Sequence, residues 1–147
     1  MSLVTDIIAK IEDMSVIDTA ETRSASINMA DNEFTRAILK DTSEELVAHG
    51  AMGATETFDC TNGNIHTATA DATVTITFSN PPATGDAGYL VIFLTNGGSQ
   101  TITWPTSVDW PAGTAPTLTS AGLDILTFVT YDGGTIWLAG NPTLNVS

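Results

Sequence analysis

Residues 73–78 read TVTITF, and this stretch decides the fold class. Its apolar members, Val74, Ile76 and Phe78, alternate strictly with threonines, so along an extended chain they all point to one side. The alternation predicts a β-strand with one face in a core and one threonine face in water. Asn80 and the two prolines that follow it end the strand, because proline cannot donate to a ladder of backbone hydrogen bonds.

Two longer apolar stretches follow this strand. Residues 89–95 (YLVIFLT) are apolar at both odd and even positions, which predicts a central strand covered on both faces. Residues 123–131 (LDILTFVTY) and 135–139 (TIWLA) flank Asp-Gly-Gly and predict a hairpin. The Asn-Gly-Gly after residue 95 predicts a second hairpin into residues 101–104, and residues 105–122 predict a long loop with one short strand.

These patterns indicate a mainly β protein. Short strands at intervals of roughly 8 to 15 residues, joined by turn sequences, predict a small antiparallel β-sandwich or jelly roll. We expect residues 51–147 to form this β-domain and residues 1–50 to form a short N-terminal helix and an arm.

The expected N-terminal helix rests on apolar residues that recur at intervals of three, four and three, namely Val4, Ile7, Ile11 and Met14. A helix of about 13 residues is marginal alone in water, so this stripe needs a partner surface. It could be a copy of itself, its own β-domain or another protein.

A second, weaker helical pattern begins near Asn32 and includes Phe34 and Ile38. It could continue through residues 46–47 before Gly50 ends it. Together with the first stripe, Phe34 and Ile38 are candidates for docking or oligomerisation.

The charge distribution excludes several functions. The last lysine is Lys40, and the 107 residues after it contain ten acidic residues and no lysine or arginine. Binding to nucleic acid or phosphate requires cations, so no such partner is expected. The net charge of -13 also disfavours anionic membranes, and no run of 18 apolar residues predicts a membrane-spanning helix. The N-terminus lacks the basic region of a signal peptide, which predicts synthesis in the cytoplasm.

The sequence predicts no catalytic residue, metal site or cofactor. Cys60 is the only cysteine, and His49 and His66 do not have the spacing of a zinc site. Most later acidic residues lie beside turn residues, where carboxylates hydrogen-bond to nearby backbone. They are Asp59, Asp71, Asp86, Asp109 and Asp132.

Aromatic side chains are the remaining candidates for ligand contact. Trp104, Trp110 and Tyr131 are candidate glycan contacts, because exposed aromatic rings often stack on sugars. Packing is the alternative for both tryptophans, which flank a proline-containing loop. Trp137 lies between two aliphatic residues of a predicted strand and is expected in the core or in a subunit interface.

Several motifs resemble the β-module found in virion proteins of tailed bacteriophages. In the first half these are ILKDTSE (38–44), TFDCTNGN (57–64) and VTITFSNPP (74–82). In the second half TITWP (101–105), VDWP (108–111), GTAPTL (113–118) and DILTFVTYDGGT (124–135) follow in the order of the family. The chain departs from the family at Thr42, where an aromatic residue is common, and at TIW (135–137), where Thr-Trp-Tyr is usual.

The resemblance implies a location and not a reaction, because such modules occur in tail fibres, appendages and capsid decoration proteins. We therefore expect a non-enzymatic structural protein on the exterior of a virion, most simply a capsid decoration (cement or head-fibre) protein. Its N-terminal segment would dock on the major capsid protein or another virion protein, and the family implies a homotrimer. The alternative is a tail-fibre or receptor-binding tip that binds a host surface glycan. A carbohydrate-active enzyme would require two carboxylates close together.

Overall fold

The computed structural model describes residues 38 and 40–146. The chain divides into two compact units, Met1–Lys40 and Asp41–Ser147. The helical turns in the described part of the chain are all too short to cross a membrane.

The second unit, which we call the β-unit, is mainly β, as the sequence predicts. Its strands are β1 (Leu46–Met52), β2 (Thr55–Asp59), β3 (Ile65–Ala70), β4 (Val74–Ser79), β5 (Gly88–Thr95), β6 (Ile102–Thr103), β7 (Val108–Asp109), β8 (Leu123–Thr130), β9 (Trp137–Ala139) and β10 (Thr143–Val146), with 3-10 turns at Gly97–Ser99 and Pro111–Gly113.

The first six strands alternate between two sheets. Strands β1, β3 and β5 lie side by side in the large sheet, whereas β2, β4 and β6 form the small sheet. Every neighbouring pair among these six strands is parallel. The chain therefore winds through three turns, each of which contributes one strand to each sheet. The prediction of an antiparallel fold is wrong here, because period-two alternation identifies the buried face of a strand and not its direction.

The last strands complete the large sheet. Strand β8 pairs antiparallel with β5 over its whole length, and β9 and β10 pair antiparallel with its other edge. Strand β7 adds to β9 in parallel. The β8–β9 hairpin confirms the prediction from Asp-Gly-Gly, with Gly133 and Gly134 at φ values of 72° and 76°.

The hairpin predicted at Asn96 is wrong, since β5 and β6 belong to different sheets. The turn carries the chain from one sheet to the other and approaches a neighbouring loop closely. A Cβ atom on Gly98 would lie 2.0 Å from the carbonyl oxygen of Leu118. Glycine is required there for close packing against that loop.

The possible continuation of the second helical pattern through residues 46–47 is also wrong, because both lie in β1; the start of that pattern, like the expected N-terminal helix, lies outside the described residues. Strand β1 forms six register pairs with β3, and Gly50, at a φ of 70°, follows a shift in that register. Pairing with a neighbouring strand outweighs the weak helical pattern.

The inward side chains of both sheets form one apolar core. In β5, Leu90, Ile92 and Leu94 are fully buried, and Phe128 in β8 is equally inaccessible. Trp137 is 2% exposed, which confirms its predicted place in the core. The small sheet contributes the buried residues Phe58, Val74 and Ile76.

Replacing Phe128 with alanine should lower the free energy of unfolding by about 3–5 kcal/mol, because it leaves a cavity in the shared core. Chemical denaturation followed by tryptophan fluorescence measures this change. The matched control, Thr77→Ala, alters an exposed position of β4 and should change stability by less than about 0.5 kcal/mol. Equal effects of the two substitutions would contradict the assignment of the core.

Candidate functional site

The residues predicted for docking lie mostly outside the described residues, namely Val4, Ile7, Ile11, Met14 and Phe34. Ile38 is described and is 90% exposed. Its docking role remains a prediction.

The two tryptophans predicted as glycan contacts are brought together. The rings of Trp104 and Trp110 meet edge to face at 5.4 Å, and each lies 5.7 Å from the ring of Phe128. Both are half-buried and pack against the core. Most of their apolar surface therefore stabilises the loop of residues 105–111 against β8.

Trp104 also lines a cleft of about 160 Å³. Gln100 and Ile102 form one side of it, and the loop with Pro116 and Leu118 forms another. The lining does not include Trp110 or Tyr131. Tyr131 is 60% exposed and directly follows β8, so the structure does not join the three predicted aromatic residues into one surface.

A chain of hydrogen bonds links two histidines that the sequence analysis leaves unconnected. His66 Nε2 donates to the carbonyl oxygen of Gly63 at 2.9 Å. Its Nδ1 then accepts from His49 Nε2, also at 2.9 Å. His49 Nδ1 lies 2.9 Å from a carboxylate oxygen of Glu56.

We call this series of hydrogen bonds the histidine chain. A carbonyl oxygen only accepts, so His66 Nε2 donates to Gly63, and Nδ1 of the neutral His66 ring accepts from His49 Nε2. The carboxylate of Glu56 lies beside His49 Nδ1 at the other end of the chain.

The histidine chain ties the two sheets together. His49 and His66 lie on β1 and β3 of the large sheet, whereas Glu56 lies on β2 of the small sheet. Both imidazoles pack against Phe58, at ring distances of 4.7 and 5.3 Å. His66 is fully buried, and burial lowers its pKa. The geometry is that of a polar link between layers rather than of a base facing a substrate.

The carboxylates in turns behave as predicted where the structure records their contacts. Asp59 accepts from the backbone and hydroxyl of Thr61 and from the amide of Asn80. These bonds, led by that from Asn80, lower its pKa. Asp132 accepts from the Thr130 hydroxyl and the Ile136 backbone.

Sequence reasoning does not find the role of Asp124. This carboxylate is fully buried and accepts from the backbone nitrogens of Thr119 and Asn145, at 2.7 and 3.0 Å. It anchors the long loop and β10 to β8. The sequence signal for it is the single ionisable residue of β8, at the second position of the strand.

The described residues do not bring reactive groups together. Burial raises the pKa of the Cys60 thiol, which disfavours the nucleophilic thiolate. Across residues 40–146, no three His, Cys, Asp or Glu side chains are close enough to hold a metal ion.

The outer faces of the two sheets differ sharply. Threonines occupy the outward positions of the small sheet, where Thr55 pairs with Thr75 and Thr75 with Thr103. The outward positions at the centre of the large sheet are mostly aliphatic or aromatic. We call the following residues the apolar face: Tyr89, Val91, Phe93, Leu123, Ile125 and Val129.

The apolar face is accessible within the second unit. Tyr89 and Val129 are 38% and 44% exposed, and the other members are half-buried. Strand β5 is central in the large sheet, as predicted. Among the described residues the core covers one face of the strand, and Val91 and Phe93 are half-buried on the other.

Comparison of the chain with protein-family models, curated proteins and solved structures found no match.

The buried imidazole should make the unit sensitive to mild acid. Because its pKa is lowered in the folded state, His66 takes up a proton on unfolding once the pH falls below about 6.5, the ordinary value for histidine. Its contribution to stability is therefore present above that pH and is lost below it, with a slope of at most about 1.4 kcal/mol per pH unit.

Denaturation midpoints measured between pH 7 and 5 test this expectation. His66→Gln should flatten the loss of stability on acidification, whereas the control Asp132→Asn, in the β8–β9 turn, should retain it. An unchanged pH slope in His66→Gln would contradict the assignment of a neutral, buried imidazole.

Proposed function

We propose that the chain is a non-enzymatic structural protein of a tailed-bacteriophage particle, and specifically a capsid decoration protein of the cement or head-fibre type. The N-terminal segment docks on the major capsid protein or another virion protein, and the β-unit projects outward. Copies associate as a homotrimer on the virion exterior.

The observation that carries this proposal is the use of the polar groups in the β-unit. Every buried side-chain nitrogen and oxygen of the described residues has a hydrogen-bond partner. The carboxylates Asp59, Asp124 and Asp132 accept from nearby backbone or side chains, and the histidine chain joins the sheets. The polar groups of this unit therefore stabilise its own two layers. Its surfaces are extended sheets, which are suited to contacts with other proteins in an assembly.

The motif order described above supports the same proposal. The motifs include the end of β4, the β8–β9 hairpin and the loop of residues 105–111 between the two tryptophans, all of which are structured parts of the unit. The arrangement of two sheets around one core supports a β-sandwich, although with parallel pairs in both sheets.

Deletion of residues 1–20 should abolish attachment to capsids while the β-unit remains folded. The removed segment carries the apolar stripe, whose burial supplies the binding free energy. Co-sedimentation of the purified protein with capsids that lack it measures attachment. Fluorescence of the three tryptophans, all of which lie in the second unit, reports its folding.

A matched pair of full-length variants separates the stripe from the rest of the segment. Ile7→Ser with Ile11→Ser should reduce attachment as the deletion does, and Thr5→Ser with Lys10→Ser should not. If the deletion variant attaches to capsids as well as the unmodified chain does, the docking proposal is contradicted.

The cleft beside Trp104 favours a second candidate function, a tail-fibre tip that binds a host surface glycan. An indole and a side-chain amide in one concave site are suited to a sugar ring, which offers both an apolar face and hydroxyl groups. Gln100 and Trp104 supply these groups.

If the cleft binds glycan, Gln100→Ala should weaken binding about tenfold, the loss expected for one hydrogen-bonding side chain. Calorimetric titration with host surface polysaccharide provides the measurement. Thr103→Ala is the control, because Thr103 is exposed on β6 and is not part of the cleft lining. Absence of binding by the unmodified chain would eliminate this candidate.

A further inference from the structure

The two outer faces of the β-unit are built for different surroundings. The small sheet presents threonines, whose hydroxyl groups hydrogen-bond to water. The apolar face of the large sheet presents two aromatic and four aliphatic side chains on adjacent antiparallel strands, with one threonine, Thr127, opposite Val91. Monomeric proteins seldom expose contiguous apolar surface of this kind unless it binds something.

Charge separates the apolar face from the rest of the unit. None of the outward residues of β3, β5 and β8 is ionisable except Tyr89, although ten carboxylates occur after Lys40. The carboxylates recorded beside the face lie at its rim. Glu44 accepts from the hydroxyl of Tyr89, and Asp109 is opposite Leu138 in the edge pair β7–β9.

The size of the surface is sufficient for a specific contact. Strands β1, β3, β5 and β8 are six to eight residues long. With a spacing of about 4.8 Å and a rise of about 3.3 Å per residue, they present roughly 500 Å² in projection, of which the apolar face on β5 and β8 is about half. Stable complexes bury about 800 Å² of accessible surface on each partner. Sheet-on-sheet packing reaches this order of magnitude when the apolar face forms the centre of the contact and the outward residues of β1 and β3 form its edge.

We propose that the apolar face is the surface through which copies of this chain associate, with the large sheets of the copies packed against one another around the axis of the homotrimer. Each copy has a net charge of -13, so copies repel one another unless they meet where carboxylates are absent. The apolar face meets this requirement and excludes water from both partners at once. A basic partner would instead be attracted to the carboxylates, which lie elsewhere.

This inference rests on the homotrimer of the proposed function and names the surface that holds it together; the contact itself requires neither a capsid nor residues 1–37. The dependence of association on salt concentration distinguishes this apolar contact from one driven by opposite charges. Added NaCl screens the repulsion between acidic copies, so association should strengthen or stay constant between 0.05 and 0.5 M, values chosen to span a Debye length of roughly 14 to 4 Å.

The test is the native mass of the full-length chain, measured by light scattering and sedimentation equilibrium over a range of concentrations. The unmodified chain should have a multiple of the 15.3 kDa subunit mass. Val129→Glu places a carboxylate within the face and should weaken association by at least roughly a hundredfold, because a buried charge without a partner is strongly unfavourable. Thr77→Glu, which adds the same charge to an exposed position of the small sheet, should leave the mass unchanged.

A second variant tests the face without adding charge. Val91→Thr with Val129→Thr gives the large sheet the surface chemistry of the small sheet and should also weaken association, with tryptophan fluorescence as the check on folding. A monomeric unmodified chain would overturn the proposal. So would a mass that survives both face variants, since copies would then be held together elsewhere, for example through residues 1–37.

Discussion

One apolar layer, shared by the inward faces of two sheets, determines the arrangement of the β-unit. The chain crosses this layer repeatedly, leaving a strand in one sheet and then a strand in the other. Strands β3, β4, β5 and β8 therefore place alternate residues in the same core, where Ile92, Phe128 and Phe58 are fully buried. This requirement fixes the alternation in sequence and sets the register of the parallel pairs, because a slip of one residue would expose the buried set.

The histidine chain is the main polar crossing of this layer. Glu56 occupies an inward position of the small sheet, where one carboxylate oxygen accepts from His49 and from the backbone nitrogen of Thr57. His66 in turn would be a buried imidazole without a donor for its free nitrogen. The three side chains satisfy one another, and this mutual dependence ties the first two turns of the chain together more specifically than apolar contacts do.

Local patterns in the sequence predict the strands but not their partners. Val74, Ile76 and Phe78 identify a half-buried strand correctly, and the Asp-Gly-Gly turn identifies the β8–β9 hairpin. Asn96 with its two glycines gives an equally good hairpin signal and fails, because the turn it forms leads into the other sheet. The contact between His49 and His66 could not be predicted for the same reason. It depends on a parallel pairing between β1 and β3, and alternation carries no information on strand direction.

The outward side chains of the large sheet bear on assembly rather than on folding. Residues 89–95 are apolar on both sides, although the described core covers only one, and the threonine-bearing small sheet shows that this chain can place polar residues on an outer face. The most direct measurement is methyl NMR of the full-length protein with a soluble paramagnetic agent. If the apolar face is covered by a second copy, the methyl signals of Val91, Ile125 and Val129 should be protected while those of Thr57 and Thr77 are broadened. Equal broadening of both sets would contradict the account.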